Sequence, residues 1–119
     1  MQWMQLTSEG FREAVRACDG VCVVPMGCLE RHGPHLPLGT DQIAADAIAT
    51  EASRREPCIV FPGYYVGQIA EARHVPGAFS LPNELVLTVL LATLDEIARN
   101  GLTRIVLANF HGGNSALLD

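Results

Sequence analysis

Three short apolar runs, each feeding a glycine-bearing loop, constrain this chain more than any other feature. They are Val21-Cys22-Val23-Val24-Pro25, Cys58-Ile59-Val60-Phe61 and Arg104-Ile105-Val106-Leu107-Ala108. Runs so short and so rich in β-branched residues read as strands buried on both faces. Stretches of helical character lie between them. Ser8 to Cys18 reads as a short helix, with Ser8 as its N-cap and Asp19-Gly20 as its stop. Asp41 to Arg55 is an alanine-rich helix stopped by Pro57. Pro82 to Asn100 is the longest helix, with Pro82 in its first turn and Gly101 at its C′ position. The order α-β-α-β-α-β predicts an α/β fold: three layers, α/β/α, around a mainly parallel sheet. The 119 residues suffice for one domain and not for two, so the expectation is a single α/β domain over 1–119. The longest helix carries Leu85, Val86, Leu87, Val89, Leu90, Leu91, Leu94 and Ile97, which cover more than one face. It is therefore read as buried on two sides or as part of an interface.

Composition removes several function classes. Thirteen acidic residues against eight basic ones leave a net charge of −5. That balance lacks the basic footprint of a nucleic-acid binder and the polybasic patch that seeks anionic membranes. No apolar run approaches the roughly 20 residues of a membrane helix. Met1 to Gln5 shows no basic segment leading into an apolar one, so no secretory signal is read there. The spacing of Cys18, Cys22, Cys28 and Cys58 matches neither a zinc knuckle nor a disulfide framework. With Cys22 and Cys28 in apolar surroundings, all four are expected to be buried, reduced thiols of a cytoplasmic protein.

Ligands of parallel α/β sheets bind beyond the carboxyl ends of the strands. Here those ends lead into Met26 to His35, Pro62 to Gly67 and Asn109 to Asn114, which hold every histidine except His74. Glu30 and His32 are two residues apart, so in extended backbone their side chains point the same way. Asp41 follows just before a helix, where it also reads as an N-cap. His111 arrives from another strand end beside Gly112 and Gly113. Two carboxylates and two histidines make a mixed nitrogen and oxygen site suited to zinc, manganese or ferrous iron.

The run Glu30-Arg31-His32-Gly33-Pro34-His35-Leu36-Pro37-Leu38-Gly39-Thr40-Asp41 resembles the signature of the creatininase family of metal-dependent amidohydrolases. Pro76-Gly77-Ala78-Phe79-Ser80-Leu81 is similar to a second family segment, with alanine in place of threonine. Asn109-Phe110-His111-Gly112-Gly113-Asn114 is similar to a third, with Phe110 in place of the usual glycine. The resemblance implies hydrolysis of a small cyclic amide, a formamide or a short peptide at a site holding two divalent metal ions (Zn, Mn or Fe). It implies that Glu30 binds one ion, His32 the other, that Asp41 bridges them and that His111 completes the first set. His35 and Glu71 become the groups expected to orient a ligand, His111 above all, or to line the substrate. A small-molecule amide partner and a homo-oligomer are also implied.

The chain departs from the family pattern in places. Gly113 stands where creatininase itself has a metal-binding glutamate, which leaves the second ion short of a ligand. Glu71-Ala72 stands where relatives often have Glu-His, with His74 displaced by two. A later His-Ala-Gly-Glu-type segment of the family has no counterpart here. The chain is accordingly expected to be the N-terminal half of a longer creatininase-like domain. The competing expectation is a catalytically incompetent fragment, or one half of a split enzyme.

Overall fold

A computed structural model of the chain describes residues 1–118. Helix α1 spans Ser8–Ala17, strand β1 Val21–Met26, helix α2 Thr40–Arg55 and strand β2 Ile59–Val60. Helix α3 follows at Asn83–Arg99, strand β3 at Arg104–Asn109 and a short helix α4 at Ser115–Leu118. The three strands form one parallel sheet in the order β2-β1-β3. Alternation along β1 sorts the layers. Cys22, Val24 and Met26 join Ile59 in a core with Ala14 and Cys18 from the α1 end, and Leu90 and Ile97 of α3. Val21 and Val23 turn to the other face and pack with Val60, Cys58 and Ala49 of α2. Helices therefore cover both faces, as the element order predicts.

Local chemistry explains the element ends. Thr7, one residue before the expected cap, opens α1: its side chain accepts from the Gly10 amide at 3.1 Å. Asp19 and Gly20 make the following turn with φ of 51° and 70°. Pro82 sits at the N-cap of α3 rather than inside its first turn, and Gly101 takes φ 92° at the C′ position. Helix α2 starts at Thr40 with no side-chain cap, so the N-cap reading of Asp41 does not hold.

Two strands differ from expectation. Strand β1 continues through Pro25 to Met26 although it lies in the middle of the sheet. Val23 and Pro25 both turn their carbonyls towards the β2 side, accepting from Phe61 and Tyr64. The ladder with β2 ends at Val60, so the missing N–H of Pro25 leaves no β2 carbonyl unpaired. Strand β3, expected to be buried, is an edge: Val106 is 52% exposed. The longest helix buries Val86, Leu90 and Ile97 but leaves Leu85, Leu87 and Leu91 exposed. All four cysteines are buried and free. Burial pushes the Cys22 thiol up to about 12, so it stays protonated and unreactive in the folded chain. Among the described residues, no helix is long and apolar enough to cross a membrane.

Candidate metal centre

The carboxyl ends of β1 and β3 lie side by side, with Met26 opposite Asn109. The loops leaving them meet the first turn of α2, which Gly27 lets approach closely. A Cβ on Gly27 would lie 2.4 Å from the Gln42 nitrogen and 2.5 Å from its Cα. The Gln42 side chain ties the two further, its Nε2 donating to the Pro25 carbonyl at 3.1 Å. Asp41 is thereby carried to the mouth of the sheet.

Four of the sequence-predicted residues come together there. Asp41 presents its two oxygens to two different imidazoles. Oδ1 lies 2.9 Å from His32 Nε2, and Oδ2 lies 3.2 Å from His111 Nδ1. Glu30 Oε1 lies 3.1 Å from His111 Nδ1 and 3.8 Å from His32 Nε2. The His111 side chain is 4% exposed, whereas those of Glu30 and His32 are 20% and 26% exposed. The centre thus has a deep half around His111 and an open half around His32.

The outer nitrogens of both rings meet backbone carbonyls. His111 Nε2 lies 2.8 Å from the Gln68 carbonyl oxygen. His32 Nδ1 lies 3.3 Å from the Glu30 carbonyl oxygen. A carbonyl only accepts, so each ring donates an N–H outward, and a neutral ring would turn a lone pair towards Asp41. Bare lone pairs facing carboxylate oxygens at these distances repel. A cation between them removes the repulsion. A single proton serves one donor–acceptor pair, whereas His111 Nδ1 faces Glu30 and Asp41 together. Ligands bound at about 2.0–2.1 Å around a tetrahedral ion stand roughly 3.3 Å apart, within a few tenths of an ångström of the spacing here. The donor set therefore fits a divalent metal.

One member of the cluster was not expected. Cys28 Sγ lies 3.1 Å from His111 Nδ1 and 3.3 Å from Asp41 Oδ2. Cys28, Glu30, Asp41 and His111 each offer a ligand atom, all within 4.8 Å of one another. The apolar surroundings read for Cys28 are thus corrected. Its sequence neighbours are apolar, but the carboxylates arrive from Glu30 and α2. Burial pushes its thiol well above the usual range, and the nearby Asp41 and Glu30 carboxylates add to that.

The outer nitrogen of His111 meets neither His35 nor Glu71, the groups expected to orient it or to line the substrate. His35 and Glu71 are exposed, and neither hydrogen bonds to the centre among the described residues. The Gln68 carbonyl does that work. Its peptide is held from both sides, because the Ile69 amide donates to Ser80 Oγ at 2.9 Å while the Gln68 oxygen accepts from His111. Ser80 belongs to the second sequence motif. That motif also braces the Glu30 loop, since the Phe79 amide donates to the Leu29 carbonyl at 2.9 Å. In the third motif, Asn109 holds both ends of His111: Oδ1 accepts from its amide and Nδ2 donates to its carbonyl. A Cβ on Gly113 would lie 2.5 Å from His111 Nε2 and 2.8 Å from the Gln68 oxygen, so this contact requires glycine. His74 is exposed in the loop after Ala70–Ala72.

Ser80→Ala should therefore weaken zinc binding by up to about 10-fold, the low end of what loss of an outer group costs, because Ser80 reaches His111 through the Gln68 peptide. Competition against a chelating dye checks this. Unchanged affinity would detach Ser80 from the centre.

Comparison with known proteins identifies the relatives of this fold. The creatininase family profile, described as creatinine amidohydrolase, matches residues 4–119. Creatinine amidohydrolase of Pseudomonas putida is 30% identical over 119 residues, covering 96% of this chain and 46% of the relative. The mycofactocin precursor peptide peptidase of Mycobacterium tuberculosis is 35% identical over 106 residues, covering 81% and 42%. A solved creatininase variant of Zn–Zn type superposes with a TM-score of 0.90 at 30% identity, covering 98% of this chain and 47% of that one. A manganese form of creatininase superposes equally well. The chain spans about half the length of the curated relatives it matches. With the profile matched almost end to end and the fold superposed over nearly all of its residues, the chain belongs to the creatininase family.

Proposed function

We propose that this chain supplies the metal centre of an amidohydrolase that cleaves the C–N bond of a small or cyclic amide with two divalent ions. One observation carries the reading: Asp41 stands between two imidazoles whose outer nitrogens are both committed to carbonyls. Glu30, His111 and Asp41 Oδ2 would hold one ion, and His32 with Asp41 Oδ1 the other. When bound, the ions supply Lewis-acid polarisation of the amide carbonyl and activation of water.

The chain's own residues do the rest. Asp41 would place its negative charge between the two ions and so lower their repulsion. The Gln68 carbonyl, accepting from His111 Nε2, would leave Nδ1 to hold the ion. The burial gradient sets the direction of approach. Substrate reaches the centre from the half-exposed His32 side, because His111 closes the other.

At domain scale, the proposal is that residues 1–119 form the N-terminal half of a longer creatininase-like domain. The exposed β3 edge at Val106 and the exposed leucines of α3 support it.

The test is hydrolysis of formamides, cyclic amides and short peptides by the longest polypeptide that carries this chain. The expected activity is lost to a chelator and restored by zinc or manganese. Hydrolysis indifferent to chelator and to Asp41→Ala would overturn the reading. Metal binding without turnover in the 119-residue chain, with turnover in a longer one, would assign the remaining catalytic groups to the rest of the domain.

A further inference from the structure

We propose that the Cys28 thiol is itself a ligand in the deep half of the centre, making that half a sulfur, nitrogen and oxygen site selective for zinc over manganese. The inference rests on the metal reading above and goes further by naming a donor and a selectivity.

Position supports it first. Cys28 is fully buried, two residues before Glu30, and its sulfur faces the same His111 nitrogen as the Glu30 and Asp41 oxygens. His111, itself almost fully buried, aims Nδ1 at this group of donors while its other nitrogen is held by Gln68. Sulfur, nitrogen and two oxygens within 4.8 Å make four donors, the number a tetrahedral zinc ion takes.

Constraint supports it second. Cys28 cannot easily turn away. Gly27 is pressed against the α2 backbone on one side. On the other, the Gly67 backbone passes close to Cys28: a Cβ on Gly67 would lie 3.5 Å from the Cys28 Cβ. The backbone beside Cys28 is thus held close, and its buried sulfur already meets Asp41 Oδ2 and His111 Nδ1. On coordination the sulfur–metal bond forms and the thiol proton leaves to solvent.

Chemistry sets the selectivity. Thiolate is a soft donor that suits zinc, whereas manganese prefers carboxylate, carbonyl and water. The open half around His32 has no sulfur among the described residues and should discriminate less.

The experiment loads the chain with cobalt(II) in place of zinc and records its absorption. Bound cobalt shows visible ligand-field bands, and a thiolate ligand adds a near-ultraviolet charge-transfer band. The expected result is both features in the native chain. Cys28→Ser should lose only the charge-transfer band, whereas Cys22→Ser should keep both. X-ray absorption at the zinc edge of the native chain needs no variant and should show sulfur at about 2.3 Å. Ligand-field bands without charge transfer, or zinc surrounded by nitrogen and oxygen alone, would overturn the inference and leave the metal reading standing. No cobalt or zinc binding at all would overturn both.

Discussion

Replacing Asp41 with alanine is expected to empty both halves of the centre while the sheet stays folded. Asp41 contributes one oxygen to each half, at 2.9 Å from His32 and 3.2 Å from His111, so no other residue's loss removes a donor from both. It does not cap α2, so the variant keeps its helix. Elemental analysis should find metal in the native chain purified without chelator and essentially none in Asp41→Ala. Thermal unfolding gives the energetic side. At zinc one hundredfold above its dissociation constant, binding adds about 2.7 kcal/mol. That corresponds to a rise in Tm on the order of 10 °C for a domain of this size. The alanine variant should show no rise, and Asp41→Asn, which keeps one oxygen acceptor, a partial one. Undiminished metal in Asp41→Ala would exclude the bridging role.

Gly27→Ala is expected to destabilise the fold more than any other single methyl on the site loops. The new Cβ would meet the Gln42 nitrogen at 2.4 Å, the Gln42 Cα at 2.5 Å and the Asp41 carbonyl carbon at 2.9 Å. All three are backbone atoms in the first turn of α2, so no side chain can swing aside. Overpacking against flexible neighbours costs about 1–3 kcal/mol, and here the cost should reach about 3 kcal/mol or more. Domains of this kind are stable by only about 5–15 kcal/mol, so the urea midpoint should fall steeply. The surviving folded fraction should also bind zinc more weakly, because the helix that retreats carries Asp41. Gly112 is the control. Its Cβ would meet nothing within 4 Å, and Gly112→Ala should change stability by less than about 0.5 kcal/mol. Equal effects at the two glycines would show that the α2 contact at Gly27 is not tight in solution.

The two glycines look alike in the sequence, which marks where sequence reasoning stops. Gly27 and Gly112 both lie in loops that leave strand ends and carry candidate ligands. Only the distance to α2 separates an indispensable glycine from a replaceable one. Cys28 is a similar case. Its neighbours Met26 and Leu29 made it look apolar, and nothing local announced that Asp41 and His111 would converge on its sulfur. Gln68 was invisible for another reason, because it acts through its backbone carbonyl, a group every residue has. Ser80 stood in a recognised motif, yet its task became readable only when the peptide it holds was seen to hold His111.

The chain order of β-branched runs and helices was enough to establish the parallel α/β layers and the sheet edge where Glu30, His32 and His111 gather. Periodicity and strand direction are local properties, and parallel topology carries the strand ends to one side. The register of β1 on β3, the seating of α2 against Gly27 and the exposure of β3 belong to the tertiary structure alone. These depend on contacts between residues far apart in the chain, and packing rather than composition selects them. That packing decided which oxygen of Asp41 faces which histidine, which nitrogen of His111 faces the carboxylates, and that a buried thiol shares the centre.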